Sequence, residues 1–163
     1  MLVAILSDVH DEVDNLLAAL CRAEESGCTH LLLAGDLTTL TTLRTLREEW
    51  SGGIDLVFGN NEWAHPSHLK LAEQLHELTH HGDVADIILD GRRIYMSHYP
   101  QNVPSALRAK VYDLIIYGHT HKAQAETIGS TLILNPGEVA GVRSAPSIAI
   151  YDTTNGEHFF LPV

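Results

Sequence analysis

Basic residues and cysteines are scarce in this sequence. Lysine and arginine together number 10, against 21 aspartates and glutamates, which leaves a formal net charge of -11. Non-specific binding to DNA or RNA depends on basic side chains that release counterions from phosphates, so this charge argues against a long nucleic-acid partner. The two cysteines, Cys21 and Cys28, are too few for a disulfide framework.

Long apolar runs and a basic leader are also missing. No stretch approaches the roughly 20 apolar residues that cross a bilayer, and the apolar start of the chain lacks the basic flank of a signal peptide. We therefore expect a cytoplasmic protein with no membrane partner. The 163 residues are 45% hydrophobic and contain no low-complexity segment, so we expect a single domain spanning residues 1–163.

Three short apolar runs each end just before ligand-capable side chains. These are Leu2–Leu6 before Asp8, Leu31–Ala34 before Gly35-Asp36, and Ile54–Phe58 before Gly59-Asn60-Asn61-Glu62. Continuous apolar runs of this length predict strands that are covered on both faces. Open α/β sheets place ligands at the carboxyl ends of their strands, so we expect a site at that edge.

Two pairs of candidate ligands lie two residues apart. They are Asp8 with His10, and His119 with His121. In an extended backbone, residues i and i+2 point to the same side, so each pair is predicted to converge on one ion while Val9 turns into the core.

The remaining pattern predicts an α/β chain of two packed sheets with helices outside. Asp11 is predicted to cap a helix that runs to about Ser26, and further helices are predicted near residues 40–50, 65–81 and 105–111. Asp90-Gly91 is typical of a type I′ hairpin. Strands are expected on both sides of it and over residues 114–117, 123–128, 131–134, 147–152 and 158–161. Exposed hairpin edges favour a homodimer.

The ligand-capable side chains at strand ends are too numerous for one ion. They are Asp8, His10, Asp36, Asn60, His98, His119 and His121. Because a mononuclear site uses three or four protein ligands, this set predicts two divalent ions. Oxygen and imidazole donors without thiolate suit manganese, iron, zinc, nickel or cobalt.

In order and spacing, these motifs resemble the calcineurin-like metallophosphoesterases. The family pattern appears as Asp8-Val9-His10, Gly35-Asp36, Gly59-Asn60-Asn61-Glu62, His98 and Gly118-His119-Thr120-His121. The short chain, with Asn135-Pro136-Gly137 after the last histidine pair, resembles the small bacterial and archaeal phosphodiesterase branch.

The resemblance implies a four-layer αββα sandwich of two mixed β-sheets flanked by helices, and a dinuclear centre for which manganese is the favoured metal. One ion would be held by Asp8, His10, Asp36 and His121. The other would be held by Asp36, Asn60, His98 and His119, so Asp36 would be shared. A hydroxide that bridges the ions would then attack a small phosphodiester substrate.

The sequence departs from the family pattern in two places. Many members have histidine at the position of Asn61, and an asparagine amide cannot act as a general acid near neutral pH. Asn61, our second catalytic candidate beside Asp36, can hydrogen-bond a phosphate oxygen, and its presence favours diesters over monoesters. Tyr99 follows His98 where glycine is usual. Glu62 is predicted to orient either His10 or the loop backbone.

Other functions stay open beside the phosphodiesterase. A phosphomonoesterase and a non-catalytic scaffold, such as the retromer small subunit with its degraded metal set, share the fold, although here the set is intact. A mononuclear iron oxygenase would leave several of these ligands unused. Trp63 is predicted either to flank the substrate or to lie in the core, and Arg143 either to meet the phosphate or to lie on the surface.

Overall fold

Two mixed β-sheets lie face to face, with helices on their outer surfaces, in the computed structural model, which describes residues 1–163. The helices are α1 (Val13–Glu25), α2 (Leu40–Glu49), α3 (His65–Ala72) and α4 (Val103–Ala109), the last preceded by a 3-10 turn at Pro100–Asn102. The strands are β1 (Leu2–Leu6), β2 (His30–Leu33), β3 (Gly53–Leu56), β4 (Leu78–His80), β5 (Val84–Leu89), β6 (Arg92–Ser97), β7 (Leu114–Ile116), β8 (Ala123–Ile128), β9 (Thr131–Pro136), β10 (Ser147–Asp152) and β11 (His158–Pro162).

The first sheet has the order β11-β10-β1-β2-β3-β4, in which β1 to β4 run parallel and β10 and β11 run antiparallel to their neighbours. The second sheet has the order β5-β6-β7-β9-β8, with β6, β7 and β9 parallel. None of the helices combines the length and the apolar composition that a membrane crossing requires.

The pleat of β1 divides its side chains between two cores. Ala4 and Leu6 pack in the cluster under α1 and α2, whereas Val3 and Ile5 pack in the cluster between the sheets. Because both faces are covered, the strand is apolar throughout. A third cluster, built around Ala106, joins α4 to the outer face of the second sheet. The predicted αββα sandwich is confirmed.

The predicted helix over residues 65–81 is wrong in its second half. The helix ends at Ala72, and Leu78–His80 forms a parallel strand in which Leu78 pairs with Ile54. Glu77 has a left-handed φ of 52°, which no α-helix accommodates, and the Ile54 N–H donates to its carbonyl. Strand pairing therefore outweighs the local helical pattern.

The predicted cap at Asp11 is also wrong. Helix α1 follows Glu12, which makes no capping hydrogen bond. The carboxylate of Asp11 instead accepts hydrogen bonds from the Thr39 N–H at 3.2 Å and from the Thr42 hydroxyl at 2.5 Å. Asp11 thus fixes the start of α2. The predicted type I′ turn is confirmed, because Asp90 and Gly91 both have positive φ angles of 47° and 79°.

Candidate metal centre

All seven predicted ligands lie at the carboxyl ends of strands from both sheets. Parallel strands β1, β2 and β3 end at one edge, where the following loops carry Asp8, His10, Asp36 and Asn60. Strands β6 and β7 of the second sheet bring in His98, His119 and His121. The sandwich therefore brings together side chains that are up to 113 residues apart, from position 8 to position 121.

The backbone geometry that brings these ligands together differs from the prediction. Asp8 and His10 have φ angles of 55° and 49°, and His119 and His121 have 67° and 62°. These values are left-handed and not extended, so the side chains converge from tight turns. Positive φ angles in non-glycine residues are strained and cluster at functional sites. Val9 is buried in the core, as predicted.

A glycine precedes Asn60 because nothing larger fits there. A Cβ atom on Gly59 would lie 2.1 Å from Asp36 Oδ1 and 2.5 Å from the backbone nitrogen of Asp36. The same crowding applies to Gly118, whose Cβ would lie 1.9 Å from the Ser7 hydroxyl. The glycines in these motifs therefore allow neighbouring strand ends to approach closely.

The first group of donor atoms surrounds Asp8 Oδ1. This oxygen lies 3.7 Å from His10 Nε2 and 3.3 Å from His121 Nε2, and His10 Nε2 lies 3.6 Å from Asp36 Oδ2. Donors that each bind one ion at about 2.1 Å are separated by roughly 3 to 3.5 Å. Asp8, His10 and His121 form one candidate ligand group, with all donor atoms within 4.8 Å.

The second group of donor atoms surrounds His98 Nε2. This nitrogen lies 3.4 Å from Asp36 Oδ2 and 3.2 Å from Asn60 Oδ1. His119 Nδ1 is 2.8 Å from Asn60 Oδ1 and 3.3 Å from His98 Nε2. The donor atoms of Asp8, Asp36 and His98 also lie within 4.8 Å of one another.

The donor set fits divalent cations. Asp8 uses Oδ2 to accept hydrogen bonds from the Ser7 hydroxyl at 2.7 Å and from the His119 N–H at 3.0 Å. Its Oδ1 is buried with no hydrogen-bond partner, and the same holds for His10 Nε2. Buried polar atoms normally have a hydrogen-bond partner. Two neighbouring atoms that lack one, and that can each donate a lone pair to a metal, favour a cation between them.

The tautomer of His98 suits metal binding. Its Nδ1 lies 2.7 Å from the backbone carbonyl of Ala34. A carbonyl can only accept, so Nδ1 carries the proton and the Nε2 lone pair faces the site.

The carboxylates make the site strongly negative. Burial acts to raise the pKa of Asp36, but the nearby imidazole of His98 and the hydrogen bonds from Asn61 outweigh it and lower the pKa to about 2. The nearby carboxylate of Asp8, together with that of Asp36, raises the pKa of His10. Burial acts to lower the pKa of His98, but Asp36 outweighs it and the pKa is raised. Positive charge is therefore favoured here.

Asn61 and Glu62 both support the loops that carry the ligands. The Asn61 amide donates to Asp36 Oδ2 at 2.7 Å, so in this structure it holds the carboxylate. Glu62 is 4% exposed and accepts hydrogen bonds from the N–H groups of Leu37 at 2.5 Å and Gly59 at 2.6 Å. Of the two predicted roles for Glu62, orientation of the loop backbone is the one observed.

The sequence did not decide the roles of three residues, Trp63, Tyr99 and Arg143. Trp63 is 85% exposed, which rules out the core alternative. The ring of Tyr99 lies 5.3 Å from the ring of His98 and 5.7 Å from that of His119, so it borders the second group. Arg143 is exposed on the surface.

Sequence reasoning missed Glu138. This carboxylate is fully buried, and its Oε2 lies 2.6 Å from His121 Nδ1. Burial acts to raise its pKa, but the hydrogen bonds from His121 and from three backbone N–H groups lower it. The available signal was a carboxylate placed between the Asn135-Pro136-Gly137 turn and the apolar pair Val139-Ala140.

A two-sheet sandwich with clustered oxygen and imidazole donors at its strand ends defines the class of metal-dependent phosphoesterases. The chain belongs to the calcineurin-like phosphoesterase superfamily, whose domain model matches residues 1–156.

Similar proteins include a phosphodiesterase of Methanocaldococcus jannaschii, which is 29% identical over 97% of this chain and 96% of its own length. The solved structure of a novel archaeal phosphodiesterase superposes with a TM-score of 0.92 at 25% identity, covering 100% of both chains. Vacuolar protein sorting 29 of Cryptosporidium parvum has a TM-score of 0.69 at 17% identity, covering 99% of this chain and 96% of its own, and it shows the fold alone.

Proposed function

We propose that this protein is a dinuclear metal-dependent phosphodiesterase that consists of one domain, residues 1–163. The observation that carries the proposal is the position of Asp36 Oδ2, which lies 3.6 Å from His10 Nε2 and 3.4 Å from His98 Nε2. One carboxylate oxygen thus borders both groups of donor atoms. A carboxylate in this position supports two ions that share Asp36.

The proposed ligands follow from the two groups. The first ion would be held by Asp8, His10, Asp36 and His121, and the second by Asp36, Asn60, His98 and His119. When bound, such a pair supplies Lewis acidity toward the phosphoryl oxygens and activates water as the attacking hydroxide. Two divalent ions outweigh the charge of two carboxylates, so an acidic protein would still present a positive pocket to a phosphate ester. Oxygen and imidazole donors suit manganese, the metal that we propose.

The diester preference rests on Asn61. Its amide is neutral, donates to Asp36, and cannot protonate a leaving group near neutral pH. Substrates whose leaving group departs without an acid are therefore favoured. The similarity to archaeal phosphodiesterase, in sequence and in solved structure, supports a small phosphodiester as the substrate.

A non-catalytic scaffold is the alternative, because vacuolar protein sorting 29 shares the fold. The intact set of donor atoms, with two buried atoms that no protein group satisfies, favours the enzyme.

A metal-reconstitution experiment tests the proposal. Metal-stripped protein is reloaded with manganese, iron, zinc, nickel or cobalt and assayed on bis(para-nitrophenyl) phosphate and para-nitrophenyl phosphate. We expect two metal equivalents per chain and faster turnover of the diester. Equal or faster turnover of the monoester would contradict the diester preference. No turnover with any ion would contradict the enzyme and favour the scaffold.

A further inference from the structure

The two groups of donor atoms differ in the hydrogen-bond partner of a histidine ring nitrogen that faces away from the site. His121 Nδ1 faces the carboxylate of Glu138 at 2.6 Å, whereas His98 Nδ1 faces the neutral carbonyl of Ala34 at 2.7 Å. A carboxylate partner makes the imidazole a more basic metal ligand than a neutral partner does. The inference below rests on the proposed dinuclear site.

Glu138 is held in a single position by four hydrogen bonds. Its Oε2 accepts from His121 and from the Val142 N–H at 3.2 Å, and its Oε1 accepts from the Arg143 N–H at 2.6 Å and from the Ser144 N–H. Every partner is a donor, so the ionised carboxylate satisfies all four, whereas a glutamine would present its NH₂ group to two of them. The side chain is fully buried, which removes competition from water.

Residues 138–144 also hold the backbone of His121 and that of a neighbouring ligand, Asp8. The Ser144 hydroxyl donates to the backbone carbonyl of His121 at 2.7 Å. The Ala140 N–H donates to the backbone carbonyl of Asp8 at 3.0 Å. Residues 138–144 therefore position two ligands of the first group, Asp8 and His121, and none of the ligands that belong only to the second group.

We propose that Glu138 is a positioning residue that makes the two metal sites unequal. The site formed by Asp8, His10, Asp36 and His121 fills first and binds its ion more tightly. The site that contains Asn60, His98 and His119 fills second. The weaker site then sets the free metal concentration at which the protein becomes active.

Titration of metal-free protein with MnCl₂, followed calorimetrically, tests this proposal. The wild-type chain is expected to show two classes of site. Glu138→Gln is expected to weaken the tighter class by about 10- to 100-fold and to leave the weaker class nearly unchanged. Glu138→Asp keeps the charge but shortens the side chain by one methylene. Its affinity for manganese at the tighter class of site is expected to lie between those of the wild type and of Glu138→Gln. The matched control is Glu24→Gln, an exposed carboxylate on α1, which should behave as wild type.

A spectroscopic readout separates positioning from general support of the fold. Nitrogen-15 NMR of the metal-free wild-type protein should show His121 protonated at Nδ1, and Glu138→Gln should shift its tautomer population while His98 keeps its own. Thermal unfolding verifies that each variant folds. If Glu138→Gln does not fold, the same measurements on Glu138→Asp provide the test.

Three outcomes would overturn the inference. They are two identical sites in the wild type, an equal loss from both classes in Glu138→Gln, or an unchanged His121 tautomer. If the wild type binds manganese and hydrolyses diesters in spite of such a result, only this inference fails. A wild-type chain that binds no manganese would overturn the proposed function as well.

Discussion

Asn61 holds Asp36 through two hydrogen bonds. Its side-chain amide donates to Oδ2 at 2.7 Å, and its backbone N–H donates to Oδ1 at 2.9 Å. The amide thus contacts the oxygen that we assign to both ions. Asn61 therefore orients the carboxylate that we propose is shared, and its amide has no proton to supply near neutral pH.

Asn61→His is expected to change substrate preference. An imidazole at this position can protonate a leaving group, which an amide cannot do. We expect the ratio of kcat/KM for phenyl phosphate to that for para-nitrophenyl phosphate to rise at least about 10-fold, because phenolate is the poorer leaving group and gains more from an acid. Parallel assays of the two esters measure the ratio, and no change would contradict the role assigned to Asn61.

Glu62→Gln is expected to destabilise the loops at the site. The carboxylate accepts hydrogen bonds from the N–H groups of Leu37, Thr38 and Gly59, and the NH₂ group of glutamine would oppose at least one of them. Leaving a buried donor unpaired costs about 1–3 kcal/mol of unfolding free energy. Urea denaturation of metal-free protein measures the loss, with Glu24→Gln as an exposed control expected to change stability by less than about 0.5 kcal/mol. Equal stability of the two variants would contradict the burial argument.

Asp55 is expected to make stability depend on acid pH. Burial acts to raise its pKa, but His30 and His81, each 2.6 Å away through Nε2, lower it from 3.8 to about 2. A depressed pKa stabilises the folded state above the unfolded pKa, and this contribution is lost as the pH falls through the folded one. The loss should amount to about 2 kcal/mol between roughly pH 5 and pH 2.

The Asp55→Asn variant isolates this contribution. Metal-free wild type and variant are compared by urea denaturation at several pH values. We expect the variant to be less stable near neutral pH and the difference to vanish near pH 2. A difference that is constant with pH would contradict the ionic interaction between Asp55 and its two histidines.

The sequence predicted the strands, and which candidate ligands follow them, because both depend on local pattern. The apolar runs Leu2–Leu6 and Leu31–Ala34 are buried on both faces, and each is followed within two residues by an aspartate of the candidate site. The sandwich that brings the ligands together follows from pairing those strands. The family and the fold are therefore predictable from the sequence alone.

The errors in prediction arise where distant residues determine the structure. Leu78–His80 becomes a strand because β3 offers an open parallel edge, which no local pattern shows. Asp11 turns toward Thr39 and Thr42, which lie 28 and 31 residues along the chain, and so does not cap its own helix. Glu138 was missed because it meets His121 only when β7 and β9, the strands that precede the two residues, pair in the second sheet.

The central claim, that Asp36 belongs to both metal sites, is tested most directly by counting bound manganese in Asp36→Asn beside His10→Ala and His98→Ala. Removing the shared charge should weaken both sites together, whereas each histidine variant should lose mainly one equivalent. Folding of all three variants is checked by thermal unfolding. Asp36→Asn is predicted to bind less than one equivalent under conditions that load two into the wild type. Retention of two full equivalents and full activity would contradict the shared carboxylate.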